Sequence, residues 1–281
     1  MGSPSAPDHG RDRAEGRAPG RMFALLQAGW VRPLILLLII IALWDVAIRV
    51  FHLPPYQVPA PKDVIVTLWR DGPELLSQAV PTTVATVLGF LLSAAIGIPM
   101  AMLIAGSRTV EAYLYPLLVF SQSIPKVAIA PLFVVWFGFG LEPKVISAFL
   151  LGFFPVVVSA VQGFKSLDPD TLDLARAMAA SRWQIFRMVG LPAAMPAIFS
   201  GLKVSVTLAV VGAVVGEFVG ANSGIGFVLQ RSIGNFELPT MFAALVILAV
   251  LGVVLFWLVD LVERLVIPWH ASWRRDLVLA A

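Results

Sequence analysis

Apolar runs long enough to cross a bilayer recur along this chain, beginning with LILLLIIIALW near residue 34. A helix needs about 20 consecutive apolar residues to cross the roughly 30 Å of hydrocarbon, so stretches of this length read as membrane spans. Composition agrees. Hydrophobic residues make up 59% and charged residues 13%, against about a quarter charged in a soluble domain. The expectation is an all-α membrane protein of about six spans.

The spans are placed at residues 33–51, 83–105, 113–137, 144–161, 197–219 and 241–267. Within the first, Asp45 and Arg49 are spaced i,i+4, share a face and are expected to pair. A proline-rich connector (53–61) and a mildly amphipathic segment (64–76) follow, and a polar, helix-compatible stretch occupies 163–192. Residues 1–21, rich in Gly, Pro, Arg and Asp, are expected to be disordered and not a signal peptide. Residues 22–31 are expected at the interface. The organisation is thus a disordered N-terminus (1–21), a membrane domain (22–267) and a short tail (268–281). Pro99 and Pro125 are expected to kink their helices.

Orientation follows from the basic residues beside the spans. One set of loops holds Arg11, Arg13, Arg17, Arg21, Arg32, Arg108, Lys165, Arg176, Arg182, Arg187, Arg264, Arg274 and Arg275; the other holds Lys62, Arg70, Lys144 and Arg231. Both termini and the 163–192 loop are therefore expected to be cytoplasmic. Trp30, Trp69, Trp269 and Trp273 fall near the proposed interfaces. There is no cysteine, which excludes disulfides and thiolate metal sites, and His9, His52 and His270 lie far apart. No metal, cofactor or nucleic acid is expected; the pI near 9.5 reflects the loop arginines.

The 163–192 loop is the most informative segment. Asp168 caps a helix with Pro169 at its first position, and the run Thr171 to Ala180 should form a short helix. Ala175, Ala177, Ala179 and Ala180 give it little bulk, so another surface can approach its backbone. Ser181 caps a second helix over 182–190, which Leu191-Pro192 is expected to end. On composition alone this is an amphipathic connector resting on the bilayer.

The spacing points further. The loop resembles the EAA motif of bacterial ABC importer permeases: Asp173-Leu174-Ala175 stands at Glu-Ala-Ala, Ala179 at the motif glycine and Leu191-Pro192 at Leu-Pro. PKVAIAPLFVVWFGFG (125–140) and VVGEFVGANSGIG (214–226) resemble the nitrate/sulfonate/bicarbonate (taurine) branch, and the likeness covers roughly residues 34–270. The resemblance implies a type I permease fold whose loop seats in an ATPase subunit, with Asp173, Ala175, Arg176, Ala179, Leu191 and Pro192 at the contact. It also implies two ATP-binding subunits, a second permease copy (a homodimer) and an extracytoplasmic binding protein, in a bacterial inner membrane. The binding protein would be received by 53–78, 138–143 and 221–239. Asp173 is one methylene shorter than Glu, and Ala179 disfavours a left-handed turn, so the two short helices are expected to meet at a different angle. The chain lacks a G-x-x-x-x-G-K-[ST] phosphate loop; it is expected not to be an enzyme, with ATP hydrolysis in a partner.

Within the spans, Gly212, Gly216 and Gly220 form one line of small residues and Gly89, Ser93 and Gly97 another, suited to close helix packing. For the first line the resemblance favours the pore or a subunit interface. Asp45, Lys126 and Glu217 are the ionisable groups in or near spans, where charge is costly unless paired or functional. Lys126, beside Gln122 and Ser123, is the candidate for the pathway, where a cation suits an anionic solute; the resemblance implies a small solute, an anion such as a sulfonate or nitrate, or a pyrimidine- or flavin-type vitamin precursor. Glu217 is placed on the same pathway and is expected to pair with Lys126 or Lys203. The alternatives are an ion-gradient-driven carrier, which predicts repeats not found here, and the energising membrane component of a vitamin importer. An intramembrane enzyme would need paired carboxylates or a nucleophile beside a base, and neither is visible.

Overall fold

The computed structural model describes residues 31–268, with side chains from residue 34 onward. The expectations for 1–21, for 22–30 and for the tail beyond Pro268 lie outside the described residues. Regular structure among those described is entirely helical. Helix α1 is Val31–Val50, α2 Pro61–Arg70, α3 Gly72–Gly106 and α4 Arg108–Gln122. A 3-10 turn at Lys126–Ile129 leads into α5, Ala130–Phe137. Then come α6 (Glu142–Lys165), α7 (Pro169–Ala177) and α8 (Arg182–Ile185). A π turn at Phe186–Gly190 joins α8 to α9 (Leu191–Phe218), and α10 (Ile225–Gly234) and α11 (Leu238–Val266) complete the fold.

Four continuous helices among the described residues are long and apolar enough to cross a membrane: α3, α6, α8 joined to α9, and α11. The pair of α4 with the Lys126–Phe137 segment makes up to five, if it is one span bent by 81°. The expected six is reached when α1, a helix of 20 residues, also crosses.

Helix α6 sits at the centre, between α3 and α9, and small residues make this possible. A Cβ added at Gly89 of α3 would lie 2.5 Å from the Ala148 Cβ, and one at Gly97 3.0 Å from a Val156 methyl. From the other side, a Cβ at Gly212 would lie 2.5 Å from the Ser147 carbonyl, and one at Gly216 2.8 Å from the Lys144 Cα. The α6 helix reciprocates: a Cβ on Gly152 would meet the Ser205 hydroxyl at 2.8 Å. Backbones therefore touch, and dispersion contacts between them replace the hydrophobic drive that lipid cannot supply. Val156, Val157, Val161, Ile198 and Val206 fill the core between these helices. A smaller cluster of Val64, Leu75, Ile225, Val228 and Ala243 ties α2, α10 and the start of α11 together.

The contacts order the two faces. Lys165 at the end of α6 ion-pairs with Glu111 at the start of α4, which puts these ends beside the 166–190 segment, the loop face. Glu217 at the end of α9 meets Thr82 early in α3 and Lys144 early in α6, which defines the far face.

Three expectations are corrected. The 83–105 span is part of a 35-residue helix; Glu74, Ser77 and Gln78 interrupt its apolar run and hid its first turns. The 113–137 span is broken after Gln122, where Pro125 has no N–H to continue the ladder. Leu191-Pro192 does not end a helix: the run from Arg182 to Phe218 is continuous. The π turn receives the proline, since the Leu191 N–H reaches back five residues to the Phe186 carbonyl.

The packing predicts that Gly212→Ala lowers stability by about 1–3 kcal/mol through overpacking against the α6 backbone. Gly252→Ala, where a Cβ meets nothing within 4 Å, is expected to leave stability unchanged or slightly raised. Thermal unfolding of the two variants in detergent, followed by light scattering, separates them.

Candidate functional site

The loop-face segment folds as two short helices with a sharp corner. The Asp168 side chain accepts from the Asp170 N–H at 3.1 Å, with Pro169 at the first position, as expected. Asp173 and Arg176 pair at 2.8 Å on the exposed side of α7. The helix ends on Ala179, whose φ is +56°. The Ala179 N–H bonds the Arg176 carbonyl at 2.9 Å and the Ala180 N–H bonds the Ala175 carbonyl at 3.1 Å, the paired bonds of a Schellman stop. This corrects the expectation that alanine, which disfavours a left-handed turn, would not adopt one here. Two carbonyl-satisfying bonds outweigh the cost of about 1–2 kcal/mol for a non-glycine residue in that conformation.

Ser181 then caps α8 in a full capping box with Gln184. Trp183 stacks on Phe186 at 5.5 Å, and Phe186 on Phe164 of α6 at 6.0 Å. The corner is thereby fastened to the end of the central helix. Leu174, Met178, Trp183 and Met188 are each between 64% and 75% exposed, which leaves an apolar surface around the Asp173–Arg176 pair. Ala175, Leu191 and Pro192 are half-buried beneath it.

Mid-chain, the broken span presents Gln122 and Ser123 exposed and Lys126 half-buried. The Lys126 ammonium lies 4.5 Å from the Phe154 ring centre and donates to the Gln122 carbonyl at 3.2 Å. Ring and carbonyl stabilise the cation without neutralising it.

Glu217 pairs with neither Lys126 nor Lys203. Its carboxylate is fully buried at the far face, 3.6 Å from the Lys144 ammonium. Thr82 donates to it at 2.9 Å and Gly226 N–H at 2.7 Å. Lys203 instead joins Asp260 and Glu263 of α11. Asp45 and Arg49 pair at 2.6 Å, as expected. The glycine line of α9 faces α6 of the same chain at Gly212 and Gly216, and Gly220 lies against Phe139.

Lys144, Thr82 and Gln78 escaped the sequence reading, which counted Lys144 as a loop charge. The Glu142-Pro143-Lys144 start was the available signal, because it places the lysine in the first turn of an apolar helix. Nearby, a cleft of about 520 Å³ is lined by Asp63, Arg70, Asp71, Glu74, Arg231 and Glu237, among others. Its Arg70 grips Asp71 at 2.8 and 2.9 Å, and this bond holds the Asp71 carboxyl below the usual carboxylate range.

Helices long and apolar enough to cross a membrane, packed through glycines, define an integral membrane protein. The chain belongs to the family of binding-protein-dependent transport system inner membrane components, whose model matches residues 93–268. It is 35% identical over 241 residues to the formylaminopyrimidine transport permease protein ThiX of Halalkalibacterium halodurans, covering 85% of this chain and 96% of that one. It is 32% identical to the putative aliphatic sulfonates transport permease protein SsuC of Bacillus subtilis, covering 92% of each. The fold matches a structure of the MetNI methionine ABC transporter with a TM-score of 0.60 at 22% identity, over 68% of this chain and 95% of that one. The protein is thus an ABC importer permease with the type I fold, a transport component and not itself a catalyst. Its family implies ATP-binding subunits and a substrate-binding protein. The gradient-driven carrier and the vitamin-importer component are set aside.

The left-handed Ala179 predicts that Ala179→Gly retains or raises uptake, because strain of about 1 kcal/mol is relieved. Ala179→Val is expected to lose most uptake while still accumulating in membranes. Uptake normalised to membrane protein measures both.

Proposed function

We propose that two copies of this chain form the translocation pathway of an importer in a bacterial inner membrane, driven by two ATPase subunits seated on α7 and α8. The observation that carries this reading is the loop-face corner. Its exposed Leu174, Met178, Trp183 and Met188 surround a surface ion pair, on a segment rigidly capped at Asp168, Ala179 and Ser181. An exposed apolar patch is covered by a protein or by the bilayer; the resemblance to the EAA loop favours a protein, and the loop carries basic residues suited to the cytoplasmic side, with both termini on that side. Asp173, Ala175, Arg176 and Ala179 make the contact, and Leu191 and Pro192 pass its motion into α9.

The pathway is assigned to Gln122, Ser123 and Lys126 at the break of the third span. A cation held over an aromatic ring favours a small solute that carries negative charge. Sulfonates fit, and the name of SsuC supports them; the name of ThiX supports a pyrimidine precursor as the other candidate. A receptor delivers the solute to the far face, over the cleft between α2 and α10.

Two outcomes test this. The chain has no cysteine, so Met178→Cys provides a single thiol on the corner. It is expected to react with maleimide in the isolated permease and to be protected at least tenfold when the ATPase subunits are bound; equal reactivity would remove the corner from the contact. Lys126→Met is expected to cut uptake by an order of magnitude or more with assembly intact, which corresponds to about 1.4 kcal/mol or more of lost interaction with the solute. Normal uptake by that variant would take Lys126 off the pathway.

A further inference from the structure

The amides that open α10 end on side chains of other helices. Gly224 N–H donates to the Gln78 side-chain oxygen at 2.8 Å, Ile225 N–H to the Thr82 hydroxyl at 2.9 Å, and Gly226 N–H to Glu217 at 2.7 Å. The Thr82 hydroxyl, having accepted from Ile225, donates to the same Glu217 carboxylate. Lys144 completes the set: its ammonium lies 3.6 Å from Glu217 and donates to the Ser223 carbonyl at 2.7 Å. Four elements, α3, α6, α9 and the 219–226 segment, therefore converge on one carboxylate with no exposure to solvent.

The backbone is shaped to this anchor. Gly224 has φ +114°, and a Cβ there would lie 2.0 Å from a Glu217 oxygen. A Cβ at Gly226 would lie 2.7 Å from the Glu217 Cβ. The chain crosses directly over the carboxylate, which only glycine permits. Helix α10 has ten residues, about 15 Å at 1.5 Å per residue, too short to span a bilayer. Its place depends on its own apolar face and on this anchor. Beside the anchor lies a cavity of about 330 Å³ lined by Lys144, Asn222 and Ser223 together with the Phe139-Gly140-Leu141 turn.

We infer that Glu217, charge-balanced by Lys144, is a positioning residue of the far-face mouth: it fastens the 219–224 turn and α10 to the central helices and so sets the opening beside Lys144. Glu217 acts through the backbone it holds; it does not touch the solute. The meaning for transport rests on the permease reading above, whereas the geometry of the anchor does not. A buried pair of this kind has a distinctive energetic pattern. Removing one partner strands the other charge in a low-dielectric site, while removing both charges together costs far less.

The test uses single-cysteine reporters in the full chain, purified in detergent with the subunits that accompany it, and a small maleimide as probe. Ser223→Cys reports on the turn, and Ser205→Cys, buried in α9, reports on the core. Glu217→Ala and Lys144→Met are each expected to raise Ser223→Cys labelling on the order of tenfold, as the loss of one partner of a buried pair implies. The Ser205→Cys reporter is expected to stay unlabelled in both. Glu217→Gln combined with Lys144→Met is expected to label several-fold less than Lys144→Met alone, the remaining rise over the parent reporting the lost Lys144 bond to the Ser223 carbonyl, and uptake is expected to recover in step. If Glu217→Ala does not accumulate, Lys144→Met and the double variant carry the comparison. Labelling of the turn within twofold of the parent in the single variants overturns the inference. So does a parallel rise at the core reporter, or a double variant no better than Lys144→Met alone. Labelling needs no transport, so absent uptake in the parent would count against the permease reading and leave this result standing.

Discussion

Everything in this molecule depends on how closely α6 approaches its two neighbours. In hydrocarbon, burying a leucine against another leucine gains little over burying it against lipid, so association rests on contact density and on backbone proximity. Gly89 and Gly97 on one side and Gly212 and Gly216 on the other bring α3 and α9 to within side-chain-free distance of α6. Ser93 adds a polar tie across the gap, its hydroxyl 3.1 Å from the Phe149 carbonyl. With these three helices fixed as a slab, α4 and α5 are free to break, and α10 and α11 to pack on the α9 side.

The slab also explains where charge is tolerated. At the far end, Lys144 and Glu217 face each other across the α6–α9 contact, with backbone amides and hydroxyls completing their shells. At the other end, Lys203 reaches Asp260 and Glu263 of α11, with Arg264 alongside at 2.9 Å from Asp260. Lys144, Glu217, Lys203, Asp260 and Glu263 each have an oppositely charged partner on another helix, which lowers the cost of ionised side chains among apolar spans. Lys126 differs, since its neighbours are a ring and a carbonyl and its own helix is broken there. That contrast supports the proposal that Lys126, and not the paired groups, is the charge that meets a solute.

Much of this was legible from the residues alone. The long apolar runs specified the membrane class, and i,i+4 and i,i+3 spacings placed Asp45 on Arg49 and Asp173 on Arg176. Capping chemistry placed the starts of α7 and α8. Local rules fell short wherever a distant partner decided the outcome. Glu217 was assigned to Lys126 or Lys203 because pairing across helices depends on which faces meet, and sequence spacing carries no information on that. Ala179 was misread because propensity weighs one residue, while the turn is decided by two backbone bonds closing around it. Pro192 was taken for a stop because the remedy, a π turn, lies upstream and has no compositional mark.

The unbroken helix from Arg182 to Phe218, about 55 Å long at 1.5 Å per residue, has a mechanical meaning. It carries the capped corner at one end and the anchored turn at the other, and it touches α6 most tightly between them. It is a single strut, held against the central helix by the corner aromatics at one end, by glycine contacts along its middle and by the Glu217–Lys144 pair at the other. The two faces of the membrane therefore share one continuous element, and the corner and the turn are set by the same helix.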